Sequence, residues 1–371
     1  MTKYYQTNDL NPGMITADAV LTKTGQMIVS KGEKLTERLI SRIRFYNIPE
    51  VAIEFSLDES SKKDETATPP VLAKPSAQAP SYSQKVVRSK EFQDFQISYS
   101  KTIAIYHSIF ESFVTENKPF DHEQLLSVTK DLYYSCKTSL ELFDMLHNMR
   151  SLKDSVYTHC VNVALISRRL GRWLKFSPEE LDLITLAGAL HDIGKLKIPN
   201  DILNKPGKYT DEEFALVKKH TKFSYDLLRA LPLNPHIRAA ALSHHERCDG
   251  SGYPSGLKQD EIDDYAGIVA IADVYDAMTA ARSYRAPLCV FQVIDNFEKD
   301  GLSKYKPQFI LTFLSHIAGT YQNNRVLLND GRVANIVMLN QNRYSKPIIQ
   351  LMDGTCIDLS REPELHIQTV L

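Results

Sequence analysis

The sequence predicts a mainly α-helical protein with a small α+β module at its N-terminal end and a β-hairpin appendage at its C-terminal end. Three observations carry that prediction. Apolar residues recur at intervals of three and four from residue 91 to about 322, the spacing that places them on one face of a helix. A stretch rich in Pro, Ser, Lys and Glu, residues 57–90, precedes that pattern. From residue 323 onward the period changes, and Asp-Gly pairs stand between short apolar runs.

The totals agree with this division. A chain of 371 residues allows two or three domains at about 150 residues each, and 43% hydrophobic residues suffice for a sizeable core. The net charge of -1 leaves no basic excess, so DNA is not an expected partner. The five cysteines, Cys136, Cys160, Cys248, Cys289 and Cys356, are scattered with no CxxC pair, which suits a reducing cytoplasm. Met1 to Tyr5 lead into polar residues rather than an apolar signal segment. No apolar run is long enough to span a membrane. A cytoplasmic location is the expectation.

In residues 1–56, Gly13, Gly25 and Gly32 punctuate β-type runs such as Val20-Leu21 and Met27-Ile28-Val29. Ile40, Ile43 and Tyr46 mark a short amphipathic helix, and Val51-Ala52-Ile53 reads as a closing strand. The module clusters no His, Cys or Asp, so an accessory or regulatory role is expected of it. Residues 57–90 hold Pro69, Pro70, Pro75 and Pro80 and few large apolar residues, the composition of a flexible linker.

Residues 91–150 read as a helical lead-in. Ile103, Tyr106, Phe110 and Phe113 form one stripe, and Leu125, Val128, Leu132, Cys136, Leu140, Phe143 and Leu146 form a longer one. Such stripes serve a core or a homodimer seam. Within residues 151–322, Leu181, Ile184, Ala187 and Leu190 form a helical face that runs into His191-Asp192-Ile193-Gly194-Lys195. Thr210 to Glu213 has the form of a capping box. The helix after it carries Phe214, Val217, His220 and Leu227, which puts His220 on the inward stripe. In residues 323–371, Asp330-Gly331 and Asp353-Gly354 each stand between a pair of apolar runs, a strong hairpin signal.

The helical region also collects ligand-type residues: His159, His191, Asp192, His220, His244, His245 and Asp273. A lone inward histidine is usually a satisfied core residue, and an isolated His-Asp pair usually a solvated helix end. Five imidazoles and two carboxylates together approach what two first-row metal ions need. Asp273 follows Ile268-Val269-Ala270-Ile271-Ala272, where an unpartnered buried carboxylate is costly. A pair of metals about 3.5–4 Å apart can clamp the attacking and leaving oxygens of a phosphoryl displacement.

His191-Asp192 with this set resembles the HD superfamily of metal-dependent phosphohydrolases. The block His244-His245-Glu246-Arg247-Cys248-Asp249-Gly250-Ser251-Gly252-Tyr253-Pro254 is similar to the signature of the HD-GYP family, bacterial cyclic di-GMP phosphodiesterases. His191 to Lys195, Lys205-Pro206-Gly207 and Asp273 to Ala277 also fit, and the resemblance covers about residues 151–290. It implies an HD-type helical bundle as the catalytic domain, residues 151–322. It implies two divalent transition metal ions, with iron or manganese favoured by mixed His and carboxylate ligands. One would take His159, His191, Asp192 and Asp273, the other Asp192, His220, His244 and His245. A hydroxide bridging them would attack phosphorus. Lys195 would neutralise the phosphate or assist protonation, Arg282 and Arg285 would hold phosphate oxygens, and Tyr253 would shape the substrate pocket.

Two positions depart from the family pattern. Some members carry an acidic residue one helical turn before the first histidine, as ligand to a third metal. Here that position is Ser155, beside Asp154, so a binuclear site is expected. The family usually has Gly four residues after the third histidine; here Ser224 stands there, and a minor packing change is expected. The leading reading is hydrolysis of cyclic di-GMP to pGpG and onward to GMP. Its competitors are a silent cyclic di-GMP receptor or interaction platform, which intact ligands argue against, and a hydrolase of another cyclic dinucleotide. A signalling partner protein fits either role.

Overall fold

A computed structural model describes most of the chain; residues 1, 8–9, 12, 22–26, 37–38, 41–42, 44–47, 49, 55–85, 87–88, 117, 150–154, 206 and 281–287 lie outside the described residues. Most of the expected linker, with Tyr46, Asp154, Pro206, Arg282 and Arg285, falls there. The chain divides into two compact units, Met1–Ala77 and Gln78–Leu371.

In the first unit, β1 (Thr2–Gln6) pairs antiparallel with β4 (Glu50–Glu54), and β2 (Val20–Leu21) with β3 (Met27–Val29). Val20, Ile28, Val29, Val51 and Ile53 from the strands meet Leu10, Leu35, Ile40 and Ile43 in a small core of their own. β1 has no sequence signal comparable to β3, because Thr2 to Gln6 lack a clean apolar alternation.

The second unit is helical over most of its length. Its helices are α1 (Lys90–Glu116), α2 (His122–Tyr134), α3 (Ser139–Met149), α4 (Val156–Trp173), α5 (Pro178–Leu190), α6 (Asn200–Leu203), α7 (Asp211–Lys218), α8 (His220–Arg229), α9 (Pro235–Ser243), α10 (Asp264–Thr279), α11 (Val290–Lys304) and α12 (Pro307–Thr320). Local chemistry sets many of the boundaries. Ser177 and Glu180 form a capping box ahead of Pro178, and Asn234 caps α9 with Pro235 at its first position.

Two apolar runs end sooner than their periodicity suggests. The stripe from Leu125 to Leu146 is carried by two helices, α2 and α3, rather than one. The Thr210 capping box does start a helix, but that helix stops at Lys218 and α8 begins at His220. Phe214 consequently points outward, 46% exposed, while Val217 and His220 are buried.

The appendage is a five-stranded antiparallel sheet in the order β8-β7-β6-β5-β9, made of β5 (Arg325–Leu328), β6 (Val333–Met338), β7 (Ile348–Leu351), β8 (Cys356–Asp358) and β9 (Ile367–Val370). Gly331 and Gly354 take positive φ at the two predicted hairpin turns. β9 returns to pair with β5, Val326 opposite Val370. Val326, Ile336, Ile349 and Ile367 share one apolar core with Tyr106, Leu132, Ile166, Ile184, Ile271 and Phe313 of the helices.

Candidate metal centre

Helix ends deliver most of the ligand-type side chains. α5 is buried along Ile184 to Leu190, and His191 is its C-cap. Asp192 then starts a 3-10 turn over Ile193–Lys197. His159 lies in the first turn of α4, whose N-cap is Ser155. His220 is the first residue of α8, and His244 is the C-cap of α9 with His245 next. Asp273 sits inside α10, a helix apolar on nearly every side.

These seven side chains meet in one place. Asp192 Oδ2 lies 3.4 Å from His159 Nε2 and 3.2 Å from His191 Nε2. Its Oδ1 lies 3.2 Å from His220 Nε2 and 3.8 Å from His244 Nε2. Asp273 Oδ1 is 3.0 Å from His159 Nε2, and its Oδ2 is 3.8 Å from His245 Nδ1. His220, His244 and His245 offer ligand atoms within 4.8 Å of one another, as do His159, His191 and Asp273, and His191, Asp192 and His244.

The imidazoles are held from behind. Nδ1 of His191, His220 and His244 lies 2.7, 2.7 and 3.0 Å from the carbonyl oxygens of Gly188, Val217 and Ala240. A carbonyl only accepts, so each Nδ1 carries the proton and each Nε2 offers a lone pair. Those lone pairs face Asp192. Burial works against its ionisation, but the Lys195 charge beside it helps hold the carboxyl well below the usual range. Acceptor thus faces acceptor, and His191 Nε2 and Asp192 Oδ1 are buried without a hydrogen-bond partner. Orphans of this kind are rare and costly; a divalent cation between them removes the conflict, so the residues fit a metal.

Protonation points the same way. Burial pushes His220 down to about 4 and His245 down to about 3, and takes His244 well below its usual value. These rings are neutral near pH 7, the form that binds metal. His159 differs: burial lowers it, but hydrogen bonds to Asp192, Asp273 and Asp276 outweigh that and raise it well above the ordinary value.

A cavity of about 390 Å³ opens beside the cluster, with His159, Lys195, His220, His245, Tyr253 and Asp273 in its wall. Lys195 Nζ donates to Asp192 Oδ2. Tyr253 stacks on His245, ring centroids 4.6 Å apart. Ser155 accepts a hydrogen bond from the backbone N–H of Thr158 at 3.2 Å, which commits its hydroxyl to capping α4. Arg282 and Arg285 lie outside the described residues.

Three supporting residues lie in the stretches that carry the resemblance but receive no role from the sequence. Asp276 accepts from His159 Nδ1 at 2.8 Å; its signal in the sequence is its place in the Asp273 to Ala277 stretch, a turn after Asp273. Glu246 is 2% exposed and accepts from the backbone N–H groups of Ser255 and Leu257 at 2.7 and 2.9 Å, which shapes the loop that carries Tyr253. Gly252 allows that loop to close, because a Cβ there would collide with the backbone of His245, Glu246 and Arg247. Ser224 contributes more than the expected packing change: its Oγ accepts from Gly194 N–H at 2.9 Å.

A helical core whose ligands arrive on helix ends around a central Asp defines an HD-type centre, and residues 138–309 match the family model described as HD domain. With the Gly252-Tyr253-Pro254 block in place beside that centre, this stretch of the chain is similar to the HD-GYP proteins. It is 34% identical over 237 residues to a cyclic di-GMP phosphodiesterase of Thermotoga maritima, covering 62% of this chain and 59% of the relative. It is 45% identical over 124 residues to a cyclic di-GMP phosphodiesterase response regulator of Xanthomonas campestris, covering 33% of this chain and 32% of the relative. It is 34% identical over 183 residues to a 3'3'-cGAMP-specific phosphodiesterase of Vibrio cholerae, covering 48% and 35%. The chain thus spans three fifths or less of the length of these relatives. The solved structure of an HDG"Y"P protein from Bdellovibrio bacteriovorus shares the fold, with a TM-score of 0.51 at 15% identity over 85% of this chain and 99% of that one. Among the described residues, no helix is long and apolar enough to cross a membrane.

Proposed function

We propose that this chain is a metal-dependent phosphodiesterase that hydrolyses cyclic di-GMP to pGpG and onward to GMP. One observation carries the reading: Asp192 turns one carboxylate oxygen to His159 and His191 and the other to His220 and His244. That geometry supports two ions that would both draw on Asp192, and the mixed His and carboxylate donors would suit iron or manganese. His159, His191 and Asp273 complete one ligand set, and His220, His244 and His245 complete the other. When bound, such a pair supplies an acidified water and a clamp on phosphate oxygens.

The chain's own residues do the rest. Asp192 fixes the spacing of the two ligand sets. Lys195, in the cavity wall and charged, neutralises the scissile phosphate and is placed to move a proton at its Nζ. Tyr253, anchored on His245, bounds the substrate on one side. Arg282 and Arg285 hold phosphate oxygens, an assignment that rests on the sequence resemblance. Residues 1–56 act as a regulatory module that meets a signalling partner. A homodimer through residues 91–150 belongs to the same proposal; Tyr106, Phe110 and Leu132 are committed to the chain's own core, so the seam would use outward residues such as Ile97 and Tyr134.

A mixed cyclic dinucleotide is the second reading, favoured by the 3'3'-cGAMP-specific relative. Incubation of the manganese-loaded chain with cyclic di-GMP, 3'3'-cGAMP and cyclic di-AMP in parallel, with products resolved by chromatography, separates the readings. Turnover of cyclic di-GMP to pGpG well above the other two is the expected result. Turnover of none of them would overturn the assignment.

A further inference from the structure

Behind His159 runs a line of buried hydrogen bonds that leaves the HD domain. Asp276 Oδ2 accepts from His159 Nδ1 at 2.8 Å. Asp276 Oδ1 accepts from Asn162 Nδ2 at 2.9 Å. Asn162 Oδ1 accepts from the Tyr99 hydroxyl at 2.6 Å. Asp276, Asn162 and Tyr99 are 2%, 5% and 1% exposed. Tyr99 stands on α1, outside the residues 138–309 that match the HD domain model.

The polarity of the line is forced. An ionised carboxylate accepts and cannot donate, so the Asn162 amide must turn its Nδ2 toward Asp276. Its Oδ1 then faces Tyr99, whose hydroxyl must donate. Asp276 in turn keeps a proton on His159 Nδ1, so Nε2, which faces Asp192 and Asp273, is the nitrogen that would give up its proton to ligate a metal. His191 and His244 are oriented by carbonyls of their own helices, and His220 by a carbonyl of the helix before it. His159 depends instead on side chains from three elements, α10, α4 and α1.

We infer that Tyr99 and Asn162 are positioning residues for the metal centre, acting through Asp276 to fix the ring and tautomer of His159. The inference rests on the metal reading of the site and adds to it a contribution from α1. Groups that orient a ligating histidine typically matter by 10–100-fold in metal affinity. Removing the Tyr99 hydroxyl frees the Asn162 amide to rotate, and the loss should fall at the lower end of that range.

The test is manganese(II) titration of the full metal-free chain by calorimetry, with thermal unfolding of the same samples. Tyr99→Phe should weaken binding of one of two ions about tenfold, and Asn162→Ala by tenfold or more. Tyr106→Phe is the control. Tyr106 is equally buried on the same helix, but its hydroxyl meets Thr129 Oγ1 at 2.7 Å, away from the line. It should leave manganese affinity unchanged, whatever it does to the unfolding temperature. Because the line acts in series, Tyr99→Phe combined with Asn162→Ala should bind no more weakly than Asn162→Ala alone. Equal losses in Tyr99→Phe and Tyr106→Phe, full additivity in the double variant, or parent affinity in Tyr99→Phe would each overturn the inference while leaving the two-metal reading intact. A parent chain that binds no manganese would overturn both.

Discussion

The backbone N–H of Gly194 donates to the hydroxyl of Ser224 at 2.9 Å, and a Cβ on Gly194 would collide with the His220 carbonyl oxygen and the Ser224 backbone nitrogen. The turn that carries His191 and Asp192 is thereby seated against the helix that carries His220. Gly194→Ala should force these two backbones apart. Overpacking of this kind costs about 1–3 kcal/mol, and here it also displaces ligands. Urea unfolding of the metal-free chain checks the first effect, and metal content after reloading checks the second. Ser224→Ala should be milder for the ligands, yet it leaves the Gly194 N–H buried without its partner, a loss of about 1–3 kcal/mol.

Asp192→Ala removes the carboxylate that faces both ligand sets. Turnover of cyclic di-GMP should fall by at least about a thousandfold, the scale on which a principal electrostatic element is lost, and metal content should fall with it. Arg285→Ala should chiefly raise the apparent KM and leave metal content unchanged. Steady-state kinetics and elemental analysis of the two variants side by side decide the matter. An Asp192→Ala protein with both metals and near-normal turnover would sink the shared-ligand mechanism.

Anaerobically purified chain should carry close to two transition ions per molecule by elemental analysis. A ligand that binds only the folded state stabilises it, so chelation should lower the unfolding temperature and reloading with manganese should restore it. A stoichiometry near zero with full activity is the contrary result.

Arg168 is 2% exposed and donates to Asp182 Oδ1 at 2.7 Å and Thr185 Oγ1 at 2.9 Å, while Lys130 donates to Asp182 Oδ2 at 2.7 Å. Burial raises the Asp182 carboxyl, but the hydrogen bonds from Lys130 and Arg168 outweigh it and hold it below the ordinary 3.8. A depressed folded-state value means the stabilisation is present above the unfolded-state pKa and is lost as pH falls through the folded one. Asp182→Asn should therefore cost about 1–3 kcal/mol at pH 7. The gap from the parent should narrow as pH drops below the ordinary carboxylate range. Denaturant unfolding at pH 7 and at progressively lower pH measures both.

The ligand-type residues were legible because metals demand particular atoms. Five imidazoles and two carboxylates in one helical stretch are hard to account for as surface. The role of Asp276 was not legible beyond its place in the Asp273 to Ala277 stretch, since a carboxylate one turn after another reads equally well as a solvated face; only the position of the His159 ring gives it a task. The break between α7 and α8 was hidden for a related reason. Phe214, Val217 and His220 keep helical spacing through Lys219, and the resulting outward turn of Phe214 depends on tertiary packing. Tyr99 could not have been found at all. Its partner Asn162 lies in another helix, and nothing in the residues around Tyr99 announces it.

The pairing of Val326 with Val370 has a consequence for how the molecule is made. β5 leaves the ribosome next to β6 and can form a hairpin at once, yet its other edge waits until β9 has been synthesised. Until then one side of β5 offers unpaired N–H and C=O groups, and the apolar residue Ile367 is missing from the core that Val326 and Phe313 share. The helices that carry the histidines are all translated earlier. The nascent chain therefore passes through an interval in which the ligands exist but one edge of the appended sheet is open, and it is in that interval that the chain has most need of protection from other strands.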